Sequence, residues 1–594
     1  NFHLCFSCKI HKYFHEFSNF LPTSRIGYMM NLSKVCKGVR QLKKYGPFLA
    51  IFFIALAFLM PHLFTHKLIL GADAPFHYNR FYDAAQQIKY GDFHYFPSLY
   101  GFQQSGRIVN AVYGPFFAYL QGLIVLLAGS WFHYQILSNF ILYLISGFSM
   151  LILLRYVNVR NWVSVPVAVL FMSTYSIQYW SINQGFTSWG TCFYPLCMIP
   201  IADFVLHKKF PVIKVAVSVG LMTQIHLLSS IMLALMYIPF YLYYFFNQTE
   251  KGKALLQLIK SVLLYFVLTA NIWAGLAIVY SGNKILPPFV NREMSQKAID
   301  LDGSYWLHYP KAFPILILSG FLLFIFFQQK NTLFQKIVLY TSLVFFFLST
   351  SLIPWTTLIE KNVPFISLIQ FPFRFFVPFT LLLLLYLALS LNQWSEQKWF
   401  RLLSIFGILI FSAQTIQNLY QHLEKWENET FVSRHTYLFD TPEEARKTFF
   451  SKDMSTSLFV FQKTTPDYLP IYKETKDNKY DRYNEEILEN ETTFIKTHPG
   501  GLLTIKWKNT GDKTVHIPVI VYDRTVLQQN GKTLTDYEVT DIGTPIVKQQ
   551  KGINELTLHY QTPIYFYFIL SLTLIGWFTL LCLFIYHRYK LLRA

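Results

Sequence analysis

The dominant pattern along the chain is a series of long apolar runs separated by short polar loops. Each run has roughly 17–24 residues, enough for a helix to cross a hydrocarbon core of about 30 Å. The pattern predicts a mainly α protein, a polytopic transmembrane helical bundle of about twelve spans. We place these spans at 46–64, 134–154, 162–178, 190–206, 211–225, 227–246, 258–281, 312–329, 333–352, 373–391, 400–416 and 564–586.

Basic residues in the loops predict the side of the membrane on which each loop lies. Lys and Arg collect in short loops such as 155–160, 208–209 and 251–253, and loops of this kind face the cytoplasm. The apolar run 113–129 would invert every later loop if it crossed, so we predict an interfacial or re-entrant helix there. Both termini are then cytoplasmic in a multi-pass plasma-membrane protein, and residues 65–133 form a large first outer loop.

The polar segment 417–562 falls between the last two spans and is therefore predicted to be outside. Apolar and polar residues alternate in Leu503–Trp507, Val515–Val521 and Asn554–Tyr560, with turn signals between these stretches. The alternation predicts an extracytoplasmic α+β domain that ends in a β-sandwich. The expected organisation is a cytoplasmic segment 1–45, a transmembrane module 46–416, the extracytoplasmic domain 417–562, a final helix 563–586 and a cytoplasmic tail 587–594.

Composition and charge narrow the classes of partner. The 594 residues are 53% hydrophobic and 14% charged, with a formal net charge of +19. This charge lies in membrane loops and not in a soluble basic domain, so we expect membrane lipids and no nucleic acid as partners. Cys5-x-x-Cys8 near the N-terminus has no second cysteine pair at finger spacing, so we predict no metal site there.

Three residues with chemical potential follow the first span. Asp73, His77 and Arg80 are spaced i, i+4 and i+7, so a helix beginning near Ala74 places them on roughly one face. Asp73 is suited to cap that helix. It is equally suited to deprotonate a hydroxyl group, or to hold a divalent cation beside a phosphate. Asp92 and the nearby His94 form a second acid–imidazole pair in the same outer loop.

A second motif, Gln370-Phe-Pro-Phe-Arg374, stands at the outer end of a predicted span, where positive charge is disfavoured. Arg374 either reaches lipid headgroups or binds a lipid phosphate, which a planar guanidinium fits bidentately. For Arg292, in the predicted outer loop 282–311, the same two interpretations apply: contact with lipid headgroups or binding of a lipid phosphate. The span interiors carry almost no other ionisable residues, which argues against ion-coupled transport but leaves a lipid flippase open.

These motifs resemble those of bacterial integral-membrane glycosyltransferases of the GT-C superfamily, and above all the YfhO-like membrane proteins. The likeness rests on Gly71-x-Asp73-x-x-x-His77-x-x-Arg80 and on Tyr113-Gly-Pro-Phe-Phe. It rests also on Gln370-Phe-Pro-Phe-Arg374-Phe, which is similar to a Gln-Phe-Pro-Trp-Arg-Phe signature of that group. The resemblance covers most of the chain after about residue 45.

The resemblance implies an inverting hexosyltransferase that takes a sugar from a polyprenyl-phosphate carrier on the outer face. The acceptor is expected to be a cell-envelope glycopolymer, either a teichoic acid or a polysaccharide. Asp73 maps onto the catalytic acid of the first outer loop, and His77 would assist it. The residues expected to bind substrate or phosphate are Arg80, Arg374, Gln370, Arg292, Asp92 and His94.

The resemblance implies no metal or other cofactor firmly, and a divalent cation stays open. Two functions from other classes also remain. One is a lipid-linked saccharide flippase or exporter, in which transport would persist without Asp73. The other is a non-enzymatic envelope scaffold that works through residues 417–562.

Overall fold

The computed structural model describes most of the chain, with side chains described from residue 44 onward. The cysteine–histidine cluster around Cys5 and Cys8 lies outside the described residues. The described ranges are 23–287, 289–300, 305–428, 436–438, 440–490, 494–498, 502–509 and 513–593.

The protein is mainly helical, with a small C-terminal sheet region. The helices are α1 Thr23–Thr65, α2 Ala74–Tyr90, α3 Pro115–Ala128, α4 Trp131–Tyr156, α5 Asn161–Ser173, α6 Tyr175–Asn183, α7 Thr187–Cys197, α8 Ile199–Val205, α9 Val212–Ile225, α10 Leu227–Phe246, α11 Lys251–Gly282, α12 Tyr305–His308, α13 Phe313–Phe327, α14 Leu333–Ser349, α15 Trp355–Glu360, α16 Ile366–Ile369, α17 Phe376–Leu391, α18 Lys398–Leu423, α19 Pro442–Thr448, α20 Met454–Val460, α21 Lys479–Tyr483 and α22 Ile564–Arg593. The strands are β1 Thr436–Leu438, β2 Phe461–Lys463, β3 Ile495–Thr497, β4 Leu503–Lys508, β5 Thr514–His516, β6 Thr525–Gln529, β7 Lys532–Thr533, β8 Glu538–Val539, β9 Pro545–Lys548 and β10 Ile553–Tyr560.

Seven helical stretches among the described residues are long and apolar enough to cross a membrane. Each coincides with one of the predicted spans, because a continuous apolar run of this length is a local property of the sequence. The seven stretches are Lys44–Thr65, Trp131–Tyr156, Leu227–Phe246, Lys251–Gly282, Pro372–Trp394, Lys398–Glu427 and Ile564–Lys590.

The other five predicted spans coincide with helices that are shorter or interrupted. The run 162–178 is broken at Thr174, whose backbone is extended. The run 190–206 is divided between α7 and α8, and Pro195 and Pro200 lie on either side of the break. The break is expected there because proline lacks the N–H group that continues a helix. Length therefore supports seven crossings, and the count of twelve stays a prediction.

Two helices of the stretch 65–133, α2 and α3, pack against each other. Helix α3 occupies the run 113–129 and has 14 residues, about 21 Å of length. The close contact needs glycine, since a Cβ atom on Gly122 would lie 2.7 Å from the backbone nitrogen of Ala85 in α2. This contact fixes how α2 lies over the bundle.

The C-terminal strands form two antiparallel sheets, of order β3-β4-β10-β6-β7 and β5-β9-β8. Both sheets contribute to one apolar cluster, with Leu503 and Leu556 from the first and Val547 from the second. The stretch 515–521 is a strand only as far as His516, because the imide nitrogen of Pro518 cannot donate to a ladder. Strand β10 leads directly into the final helix α22.

The sheet domain rests on the first outer loop through specific hydrogen bonds. The Ile520 N–H donates to the Ser105 carbonyl at 2.7 Å. The Ile108 N–H donates to the Tyr522 hydroxyl at 3.1 Å. On the other side of the loop, the Trp131 indole donates to the Met454 carbonyl at 2.9 Å. The Tyr522 hydroxyl donates in turn to the Tyr468 carbonyl at 3.1 Å, and Lys463 of β2 contacts Asp73, so the segment after β2 lies against the start of α2.

Candidate functional site

A cavity of about 620 Å³ lies where the start of α2, the start of α10, the loop before α17 and the segment after β2 meet. Its polar wall carries Asp73, His77 and Arg374 together with Lys463. The two sequence motifs, distant along the chain, therefore face one space.

Asp73 stands at the N-cap position of α2, yet its side chain makes no capping hydrogen bond. Its Oδ1 atom instead accepts a hydrogen bond from the Lys463 Nζ at 2.8 Å. The Asp73 side chain is 44% exposed. Its N–H donates to the Asn183 carbonyl at 3.3 Å, and Gly71 touches the Asn183 backbone so closely that a Cβ atom would overlap it. The carboxylate is thus held at the cavity wall with one cationic partner.

His77 lies one turn along α2 and is buried in an aromatic stack. Its ring is 4.9 Å from that of Phe186, at an interplanar angle of 19°. The Arg80 Nη1 lies 3.2 Å from the His77 Nδ1; because a guanidinium can only donate, Nδ1 accepts and the proton sits on Nε2. Burial, with Arg80 and Lys463 adding to it, lowers the pKa of His77 well below its usual value. The imidazole is therefore neutral at physiological pH.

Arg80 lies behind His77 and is fully buried. Its Nε donates to the Asn110 Oδ1 at 3.1 Å, its Nη2 donates to the Tyr113 carbonyl, and its guanidinium lies over the Tyr113 ring at 4.3 Å. Burial lowers the pKa of Arg80 to about 10, so the group stays positive. These contacts favour a positioning role, and direct binding of phosphate by Arg80 stays a prediction.

Arg374 enters the cavity from a 3₁₀ helix, Pro372–Phe375, at the start of α17. Its Nη1 donates to the Gln370 Oε1 at 2.8 Å and to the Ile369 carbonyl at 3.1 Å. Gln370 in turn donates through Nε2 to the Phe289 carbonyl at 2.7 Å. The glutamine therefore orients the guanidinium and ties the outer loop after α11 to the same place.

Three predicted site residues lie away from this cavity. Asp92 and His94 follow the other end of α2, about 25 Å along the axis of a 17-residue helix from Asp73. Asp92 accepts a hydrogen bond from the Tyr100 hydroxyl. Arg292 is exposed, although its neighbour Asn291 donates to the Gln370 carbonyl at 3.0 Å. Their roles in binding substrate stay predictions.

Two charged residues of the cavity were missed by sequence reasoning, and both come from the polar segment after β2. Lys463 has a side chain only 17% exposed and contacts the Ala72 carbonyl as well as Asp73. Asp467 faces the same cavity, and burial raises its pKa. The run Lys463-Thr-Thr-Pro-Asp467 is a polar signal after an apolar strand, but nothing local connects it to the first outer loop.

The opposite wall of the cavity is apolar. Leu227 and Ile231 of α10, with Ile272 of α11, line it on the side of the membrane-spanning candidates. Ile231 and Leu368 are at the same time exposed on the outside of the molecule, so the cavity has an apolar rim beside its apolar wall. No group of three or more metal-ligating side chains occurs among the described residues.

Comparison with known proteins adds no family to this description. No protein-family model matches the chain, and no curated protein matches it at a significant level. The class that fold and site define is a mainly helical protein with seven candidate membrane-spanning helices among its described residues and a small C-terminal sheet region. Its cavity joins two carboxyl groups, two cations and an apolar wall.

Proposed function

We propose that the protein is a glycosyltransferase of GT-C type, which uses a polyprenyl-phosphate-linked sugar to glycosylate a cell-envelope polymer, a teichoic acid or a polysaccharide. The observation that carries the proposal is the meeting of Asp73, Lys463 and Arg374 in one cavity with an apolar wall. A lipid phosphate requires cations at one end and a water-free surface at the other. Both are present within the same 620 Å³.

The donor would bind with its phosphate between Lys463 and Arg374. Arg374 is already oriented by Gln370, so little side-chain freedom is lost when its guanidinium meets a phosphate. The isoprenoid would lie along the apolar side chains of α10 and α11 and leave through the rim at Ile231. This path matches the chemistry of a carrier that is dissolved in the membrane.

Asp73 would act as the general base. It takes the proton of an acceptor hydroxyl while the acceptor oxygen forms a bond to the anomeric carbon. The bond from that carbon to the phosphate oxygen breaks, and the polyprenyl phosphate leaves with the electron pair. Lys463 and Arg374 stabilise the charge that develops on the leaving group. Inversion at the anomeric carbon is inferred from the resemblance to the superfamily.

Lys463 gives this scheme an order of events. Without a donor it pairs with Asp73, so its ammonium group occupies the carboxylate that would accept the proton. A phosphate in the cavity would compete for the ammonium group and release Asp73 to act as a base. Neutral His77 would hold the first turn of α2 in place through its stacked ring and its contact with Arg80.

The proposed topology has twelve crossings, with both termini in the cytoplasm and the cavity outside. Its support is the charge of the loops at 155–160, 208–209 and 251–253, since positive loops are retained inside. The short helices α9, α13 and α14 would then complete the crossings together with the interrupted pairs α5–α6 and α7–α8.

The test is a complementation experiment with Asp73→Asn in cells that lack their own copy of the protein. We expect the sugar content of the envelope polymer, measured by NMR and monosaccharide analysis, to fall about 100-fold or more, the usual loss when a general base is removed. Asp536→Asn, an exposed acid in the sheet domain, is the matched control. Unchanged glycosylation by Asp73→Asn at normal expression would contradict the proposal and favour a flippase or a scaffold.

A further inference from the structure

A second cavity of about 1010 Å³ lies beside the final helix, near the far end of α2 from Asp73. Its wall on α22 runs from Tyr567 through Leu574 and Phe578 to Leu581. The 14 helical steps from Tyr567 to Leu581 correspond to about 21 Å, more than the roughly 15 Å of hydrocarbon in one leaflet of a bilayer. The cavity is thus an elongated slot along a candidate membrane span.

The slot is open to the lipid-facing side of the molecule. Leu574, Phe578 and Leu581 line it and are also exposed on the surface, as is Phe116 at the start of α3. Filling this slot with water inside a bilayer is unfavourable, because removing apolar surface from water lowers the free energy. A hydrocarbon chain from the surrounding leaflet can fill the slot and contact its apolar side chains.

The end of the slot beside the sheet domain carries two polar groups that lack a partner. The Tyr560 hydroxyl is buried with no hydrogen-bond partner in the part of the chain that the structure describes. The His94 Nε2 makes no hydrogen bond there either, and it lies 3.9 Å from the Asp92 Oδ2. Unpaired buried polar groups are costly. By contrast, Gln224 and Asn271, deeper in the slot, bond to each other at 2.8 Å. A ligand is therefore expected to place hydrogen-bonding atoms at the sheet end only.

Charge decides which headgroup fits. Among the residues that the structure describes, none that lines the slot is Lys, Arg, Asp or Glu, whereas the cavity at Asp73 has Lys463 and Arg374. Burial lowers the pKa of His94, so it adds no charge near neutral pH. A buried phosphate without a cation would be strongly disfavoured. Ester carbonyls and hydroxyls suit the unpaired groups without this penalty.

We infer that this slot binds one uncharged glycerolipid from the adjacent leaflet, with a hydrocarbon chain along α22 and its glycerol ester group at Tyr560 and His94. The site is separate from the one at Asp73 and does not depend on the function proposed for it. It gives the protein a second lipid contact, selective for a neutral diacylglycerol unit, in the corner between the sheet domain and the final helix.

The test is native mass spectrometry of the full-length protein with dioleoylglycerol and, in parallel, dioleoylphosphatidylglycerol. We expect one dioleoylglycerol to remain bound, and phosphatidylglycerol to bind at least tenfold more weakly. Leu574→Trp, which fills the mouth of the slot, should reduce bound dioleoylglycerol at least tenfold. Ile575→Trp, equally exposed on the same helix but outside the slot, should retain wild-type binding.

Tyr560→Phe keeps the ring that stacks on Phe96 at 4.9 Å and removes only the hydroxyl. One lost hydrogen bond corresponds to about fivefold weaker binding, while Tyr586→Phe, exposed on α22 outside the slot, should change nothing. The inference is overturned if Leu574→Trp binds dioleoylglycerol like the wild type, or if phosphatidylglycerol binds equally well. It is also overturned if Tyr560→Phe leaves the affinity for dioleoylglycerol unchanged.

Discussion

At the scale of single residues, the pairing of Asp73 with Lys463 determines what the cavity can do. A carboxylate at a helix N-terminus usually caps free N–H groups, but here it faces a cavity and holds an ammonium group. The same side chains can exchange partners when an anion enters. Two predictions concern individual side chains at and near this site.

Lys463→Gln should weaken the binding of farnesyl phosphate, a short soluble isoprenoid phosphate, by tenfold or more. Hydrogen bonds to charged groups contribute about 1.5–3 kcal/mol, and Gln retains neither the charge nor the full reach. Lys463→Arg should recover most of the affinity, and Lys532→Gln, an exposed lysine on β7, should leave it unchanged. Titration calorimetry on purified protein measures this; equal affinity in Lys463→Gln and Lys532→Gln would exclude Lys463 as a phosphate ligand.

Asp83 in α2 should make stability depend on pH. Burial raises its pKa to about 6, above the value of 3.8 for an exposed acid, so the folded state disfavours its ionisation. The free energy of unfolding is then highest below about pH 4, and it falls by about 3 kcal/mol as the pH rises from about 4 to about 6. Thermal unfolding from pH 4 to 7 measures this fall, which should be absent in Asp83→Asn; parallel curves for both proteins would contradict the assignment.

At the scale of elements, the contact between α2 and α3 sets the position of the cavity. Asp73 and His77 belong to α2, and its packing on α3 through Gly122 decides how far they reach over the bundle. Backbone contact of this kind needs glycine, since any side chain holds two helices apart.

Gly122→Ala should therefore destabilise the protein and reduce isoprenoid phosphate binding, because the added Cβ would meet the Ala85 nitrogen at 2.7 Å. The matched control is Gly407→Ala in α18, where the nearest atom, in Phe411, is 3.6 Å away. There the change should be neutral or stabilising by up to about 1 kcal/mol, the difference in helix propensity. Thermal unfolding of both variants measures this, and equal shifts for the two would refute the packing argument.

At the scale of the whole molecule, the sheet domain supplies part of the site instead of standing apart from the helical bundle. The polar segment 417–562, which includes these sheets, contributes Lys463 and Asp467 to one cavity and Tyr560 to the other. Both cavities therefore require this segment and the helical bundle together. The proposed topology requires the segment and residues 65–133 to lie on the same side of the membrane.

Cysteine labelling in intact cells checks that arrangement. Lys513→Cys, in the sheet domain, should react with a membrane-impermeant maleimide without permeabilisation. Lys251→Cys, at the start of α11 in a loop predicted to be cytoplasmic, should react only after permeabilisation. Both lysines are exposed, so access to the reagent depends on the side of the membrane. Labelling of both positions in intact cells would contradict the proposed topology.

Local sequence patterns were enough to predict the seven helical runs of spanning length. They also predicted the strands β4 and β10 of the sheet region. These depend on runs and alternations within a few tens of residues, where periodicity and proline positions act directly. It also singled out Asp73, His77, Gln370 and Arg374, which share one cavity. It did not show that the stretch 515–521 ends as a strand at His516, although Pro518 is visible in the sequence.

Which of these side chains come into contact depends on the tertiary structure. Lys463 reaches Asp73 across 390 residues of chain, and no local pattern encodes a contact of that separation. The same is true of the contacts of Arg80 with Tyr113 and His77, while its binding of phosphate stays a prediction. Packing of helices against the sheet domain sets these distances, because it is the sum of many weak contacts distributed over the whole chain.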